Sequence, residues 1–129
     1  MPKIESHRDL RVWHAAMDLA ETACRAAMGA PNSWKFPLAD QVIRAATSVP
    51  ANIAEGYGRN STGAYLQFLK VARGSLLELE THVLLAQRIE AFDSDRSAAM
   101  LQQLERVGKM LNALIKSLQR SDTRERRVG

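Results

Sequence analysis

The stretch QVIRAATSVPANIAEGYGR, Gln41 to Arg59, decides the fold because it carries two helical stripes at once. Val42, Ala46, Val49 and Ile53, continued backwards by Leu38, recur at steps of three or four, the spacing of a helix's core face. Gln41, Arg44, Ser48, Asn52, Glu55 and Arg59 form a second, polar stripe. Its amide, hydroxyl, carboxylate and guanidinium groups suit fixed hydrogen bonds. Pro50 interrupts both stripes, at a cost of about 3 kcal/mol inside a helix. Ala46, four residues earlier, leaves room for a bend. Gly56 and Gly58 suit the left-handed backbone that ends many helices.

Outward from this stretch, three more helical patterns emerge. The first runs from about residue 9 to 28 on a seam of Leu10, Trp13, Met17, Ala20, Cys24 and Ala27. The second covers about 38 to 57. The third, capped by Asn60 or Ser61, runs from about 61 to 88 on Tyr65, Leu69, Ala72, Leu76, Leu79, Val83 and Ala86. The fourth, capped by Asp93 or Ser94, runs from about 94 to 120 on Leu101, Leu104, Val107, Leu111, Leu114 and Leu118. Gly29, Pro31, Asn32 and Pro37 break the first pattern from the second. Short connections between long helices predict an all-α, antiparallel up-down-up-down four-helix bundle, a single domain over 1–120. Residues 121–129 read as a flexible basic tail.

Composition agrees. The chain has 129 residues, 46% of them hydrophobic, 25% charged and only 5% aromatic, which favours helices over sheets. The net charge of +4 is uneven: residues 116–129 hold five basic and two acidic side chains, and the rest is close to neutral. A lone cysteine, Cys24, excludes an internal disulfide. The N-terminus carries no apolar run like a signal peptide, and the longest later one, Val83–Ala86, is too short to span a bilayer. No membrane and a cytoplasmic setting are expected.

The third helix has more apolar surface than one seam uses. Leu66, Phe68, Val71, Leu77, Leu84 and Leu85 lie off its stripe, and Val12, Ala16, Leu19, Ala23 and Ala26 form a second row on the first helix. Helices apolar on two faces bury both, so the chain is expected to assemble with copies of itself. Gly74, followed by Ser75, sits mid-helix at about 1 kcal/mol against alanine and lets another backbone approach. Glu55, Glu78 and Glu80 on the central helices would need partners if buried, with Arg44 and Arg73 the nearest.

Catalytic signals are thin. His7, His14 and His82 lie in different segments, and Glu78 with His82 is one i, i+4 pair rather than a metal-binding set. No cofactor, metal or catalytic residue is assigned. Candidate nucleic-acid contacts are Arg44, Arg59, Lys70, Arg73, Arg120, Arg124, Arg126 and Arg127. Binding through them would be led by the phosphate backbone and sensitive to salt.

DLRVW (Asp9–Trp13), the Gln41–Arg59 stretch and FLKVARGSLLELET (Phe68–Thr81) resemble the signature blocks of the four-helix-bundle proteins also called 23S ribosomal RNA intervening-sequence proteins. That resemblance implies an antiparallel bundle assembled as a homopentameric ring. The related accessory variability determinants of diversity-generating retroelements bind reverse transcriptase and nucleic acid. No catalytic residue carries over. Gln41, Arg44, Ser48, Asn52, Glu55, Gly56, Gly74, Ser75, Glu78 and Glu80 carry over as signature. Without Arg44, and with Pro50, Leu66, Leu77 and Leu84, they are the interface candidates. The expected function is a non-enzymatic oligomeric scaffold or adaptor with weak electrostatic RNA or DNA binding. The alternatives are an accessory protein for a partner such as a reverse transcriptase, and a helical ribonuclease or metal enzyme.

Overall fold

The computed structural model describes the backbone of residues 3–30 and 35–128, and their side chains except those of 35, 36 and 125–128. Pro31 and Asn32 therefore lie outside it. Four long helices occupy the described residues: α1 (Arg11–Met28), α2 (Asp40–Tyr57), α3 (Thr62–Arg88) and α4 (Ser94–Val128). A 3-10 turn, His7–Asp9, precedes α1, and a π-helical turn, Lys35–Ala39, leads into α2. The fold is an all-α helical bundle. Each helix packs on its two neighbours in turn, α2 most extensively on α3, with α4 closing back onto α1. No helix among the described residues is long and apolar enough to cross a membrane.

The element ends follow local chemistry. Ser6 and Asp9 form a reciprocal capping box around the 3-10 turn, so α1 begins two residues later than expected. Two backbone N–H groups, those of Glu5 and Ser6, hold the Asp9 carboxyl below its usual range. Ser61 caps α3 by accepting from the Ala64 amide at 3.1 Å, and Asp93 caps α4 by accepting from the Arg96 amide at 2.8 Å. The expected left-handed glycines are absent among the described residues: α2 ends at Gly58 with φ of −76°. That backbone belongs instead to Glu90, φ 61°, where α3 stops and the Ala91 amide turns back to the Ala86 carbonyl at 2.8 Å.

The largest boundary correction concerns the tail. Helical backbone continues to Val128, eight residues past the expected end at 120. Nothing in SDTRERRV breaks a helix: it holds no proline and no glycine.

The core is built from Val42, Ala45, Ala46, Val49 and Ile53 of α2, the α3 seam from Leu69 to Ala86, and Met100, Leu104, Val107, Leu111 and Ile115 of α4. On α1 the expected seam is buried only at Ala20 and Ala27, and the second row is core throughout. Val12, Ala16, Leu19, Ala23 and Ala26 are buried, whereas Met17 is 44% exposed and Trp13 and Cys24 are half-buried. Small alanines let α1 settle close to Ala45 and Ala46 of α2, which leaves the bulkier Trp13 and Met17 at the edge of the contact. The second row of α1 is therefore core and not a spare face.

Candidate assembly and nucleic-acid surfaces

On α3 the surplus is real but smaller than the sequence implied. Leu66 is a correction, because it is buried within the chain, and Phe68 is half-buried beneath Arg59. Val71, Leu77, Leu84 and Leu85 remain outside, at 53%, 60%, 42% and 47% exposure. They lie opposite Ala72, Leu76, Leu79 and Val83, so α3 is apolar on two opposed faces. Gly74 sits among the exposed four, and a methyl group added there would meet nothing within 4 Å. Packing inside the chain gives no reason for a glycine at that position. Lys70, Glu78 and Thr81 share the exposed side.

The polar stripe of α2 splits in two. Its middle turns inward: the Ser48 and Ser75 hydroxyls meet at 2.8 Å, while the Asn52 amide donates to the Ser48 carbonyl at 2.8 Å and hydroxyl at 2.9 Å. This knot fixes the register of α2 against α3 beside Pro50, which is buried. Proline removes the donor that the Ala46 carbonyl would otherwise receive, yet α2 runs unbroken from Asp40 to Tyr57. Gly56 is also inward: a methyl group there would come within 2.8 Å of the Phe68 Cβ. Gln41, Arg44 and Glu55 face solvent.

An Arg–Glu contact is expected between helices or between subunits, and the described residues of the single chain hold none between helices. Glu55, Glu78 and Glu80 are exposed rather than buried. Glu55 pairs with Arg59, just past the end of α2, at 2.6 Å, and Glu78 lies 3.6 Å from His82 one turn on. Arg73 does cross between helices, donating to the Asn112 amide oxygen of α4 at 3.3 Å.

The candidate cations separate accordingly. Arg59 is held by Glu55 and by the Phe68 ring 4.7 Å below its guanidinium. Arg44 stands on α2, while Lys70 stands on α3 three residues before Arg73. Arg120 and Arg124 are brought together with Lys116, Gln119 and Thr123 around a shallow recess of about 420 Å³ on α4. None of those three cations forms an ion pair among the described residues. The side chains of Arg126 and Arg127 lie outside the described residues. Lys116 and Gln119 were missed as site residues. Their signal is the four-residue step Lys116, Arg120, Arg124, which becomes visible only when the tail is read as helix.

A second surface is a groove of about 670 Å³ between α1 and α2, lined by His7, Trp13, His14, Met17, Cys24, Pro50, Ala51 and Ala54 among others. His7 and His14 each meet the Trp13 ring edge-on, with centroids 5.1 Å apart. Burial pushes the Cys24 thiol up from its ordinary value, away from reactive thiolate. Among the described residues no three His, Cys, Asp or Glu side chains gather as a metal site.

No curated protein matches this chain. A crystal structure from Bacteroides thetaiotaomicron, described as a protein with unknown function from the S23 ribosomal protein family, has the same fold. The TM-score is 0.77 at 24% identity, over 81% of this chain and 95% of that one. The family model for the 23S rRNA-intervening sequence protein matches residues 8–113. With that match over most of its length, this chain belongs to the 23S rRNA-intervening sequence protein family.

Proposed function

We propose that this chain is a non-enzymatic helical-bundle scaffold or adaptor that works in the cytoplasm as a homo-oligomer, a closed pentameric ring, and holds RNA or DNA weakly by electrostatic contact. The observation that carries the reading is the solvent face of α3, where Val71, Leu77, Leu84 and Leu85 stand uncovered around an open Gly74. Fully burying a side chain of this size contributes about 1.5–3 kcal/mol, so the face favours association. A second copy is the simplest cover. A ring needs two different surfaces to meet, and the groove between α1 and α2, with Met17 at its edge, is a suitable counterpart.

The up-down-up-down course has support in the contacts. Ser48 meets Ser75 and Gly56 meets Tyr65, while Arg73 meets Asn112 and Leu76 meets Gly108. In these two pairs, α2 with α3 and α3 with α4, the numbers rise on one side as they fall on the other. The nucleic-acid part rests on Lys116, Arg120 and Arg124, since the rest of the chain is near neutral.

Sedimentation velocity at micromolar concentration tests the assembly. The wild-type chain is expected as one oligomer, and the Leu77→Glu/Leu84→Glu variant as a monomer of unchanged helical circular dichroism. A monomeric wild type overturns the reading.

A further inference from the structure

We infer that the C-terminal part of α4 is a rigid cationic ridge that lies along the phosphate backbone of a nucleic-acid duplex, and that its helical continuity is what makes it a binding surface. The inference rests on the electrostatic reading above and deepens it by naming the element and the form of nucleic acid.

Ile115 is the last buried residue of α4 among those whose side chains are described. Beyond it only Leu118, half-buried, packs against the core among the residues whose side chains are described, yet the helix goes on to Val128, although polar sequence with little tertiary support ordinarily frays. Along this stretch Lys116, Arg120 and Arg124 recur at four-residue steps, all exposed and none paired among the described residues. At about 1.5 Å of rise per residue, neighbouring cations stand about 6 Å apart and the row is about 12 Å long. The Gln119 side chain lines the same recess and can also donate to a phosphate oxygen. Asp122, two residues from either arginine, is turned across the helix axis from the row. Three charges held on one face act together. On a disordered tail each would have to be positioned separately, with loss of side-chain and backbone freedom.

The form of nucleic acid follows from what the ridge lacks. From Asp93 to the end of the chain there is no Phe, Tyr or Trp, so no base can be stacked there as single-strand binders stack them. A row of point charges without aromatic platforms answers to phosphate density, which is greatest on a duplex. Such a contact fixes position without reading sequence.

The test uses the full-length protein, one duplex of about 20 base pairs and the single strand of the same sequence, with binding followed by fluorescence anisotropy over a salt series. Ser121→Pro removes one backbone donor and presses on the residue 117 carbonyl, so it breaks the row between Arg120 and Arg124 without changing charge. Ser121→Ala keeps the helix and serves as control. Affinity for the duplex is expected to fall about fivefold or more in the proline variant and stay within about twofold in the alanine variant. Lys116→Ala/Arg120→Ala/Arg124→Ala is expected to flatten the logarithmic salt dependence by about 2 to 3 per chain. Wild-type affinity in Ser121→Pro, or tighter binding to the single strand than to the duplex, overturns the ridge. An unchanged triple variant overturns the electrostatic reading beneath it as well. Helical circular dichroism and sedimentation of each variant confirm that the bundle and its assembly are intact, because no core residue is touched.

Discussion

At Gly56 a methyl group would sit 2.8 Å from the Phe68 Cβ and 3.2 Å from the Tyr65 carbonyl, neither of which can swing away. At Gly74, one helix along, the same methyl group would enter open space. Gly56→Ala is therefore expected to destabilise the chain by about 1–3 kcal/mol, the usual cost of overpacking. Gly74→Ala is expected to stabilise it by up to about 1 kcal/mol through helix propensity alone. Denaturant midpoints of the two, measured in the Leu77→Glu/Leu84→Glu background where no second copy covers α3, give the comparison. A loss at Gly74 would mean that an unseen neighbour within the chain fills that space. Both glycines stood out in the sequence, but their roles did not. The sequence marks Gly56 as a helix end, whereas Phe68 and Tyr65, which crowd it, become neighbours only once α2 and α3 pair.

Among the elements, α3 was the most legible. Its seam of large, regularly spaced side chains leaves one choice of core face, and the structure keeps that face from Leu69 to Ala86. For α1 two rows of similar hydrophobicity competed. The three-and-four spacing points to the row of Trp13 and Met17, but close packing buries the whole of the other row and, of this one, only Ala20 and Ala27. The end of α4 is hidden by its polar composition, which reads as a flexible tail although its helix propensity is unbroken. The α3 terminus carries a cost of its own. Glu90 holds a left-handed conformation that disfavours L side chains by roughly 1–2 kcal/mol. Glu90→Gly relieves this while loosening the unfolded chain, for a net gain of about 0.5–1 kcal/mol. A urea midpoint at or below wild type would show that the Glu90 side chain makes a stabilising contact elsewhere.

For the molecule as a whole, alkaline pH is a probe of the junction between α2 and α3. Burial, with the neighbouring Tyr57 a smaller contribution, pushes the Tyr65 hydroxyl up to about 12. The Tyr57 and Tyr65 rings meet edge-on with centroids 6.0 Å apart. Below the ordinary tyrosine value, about 10, folded and unfolded chains both keep the proton and stability is unaffected. Between about 10 and 12 the unfolded chain ionises first, so stability falls as pH rises. Tyr65→Phe is expected to lose less stability than wild type between about pH 9 and about pH 11, read from urea midpoints. Equal losses would place the alkaline sensitivity in other groups.

The four helices are unequal: α4 has 35 residues, against 18 in each of α1 and α2. One end of the molecule is consequently blunt and the other bears a projecting rod. Under cyclic symmetry every equivalent point falls at the same height along the axis, so a closed ring would gather all its rods on a single rim. Such a particle would have a charged crown and an inert base, and could approach a polyanion from one side only.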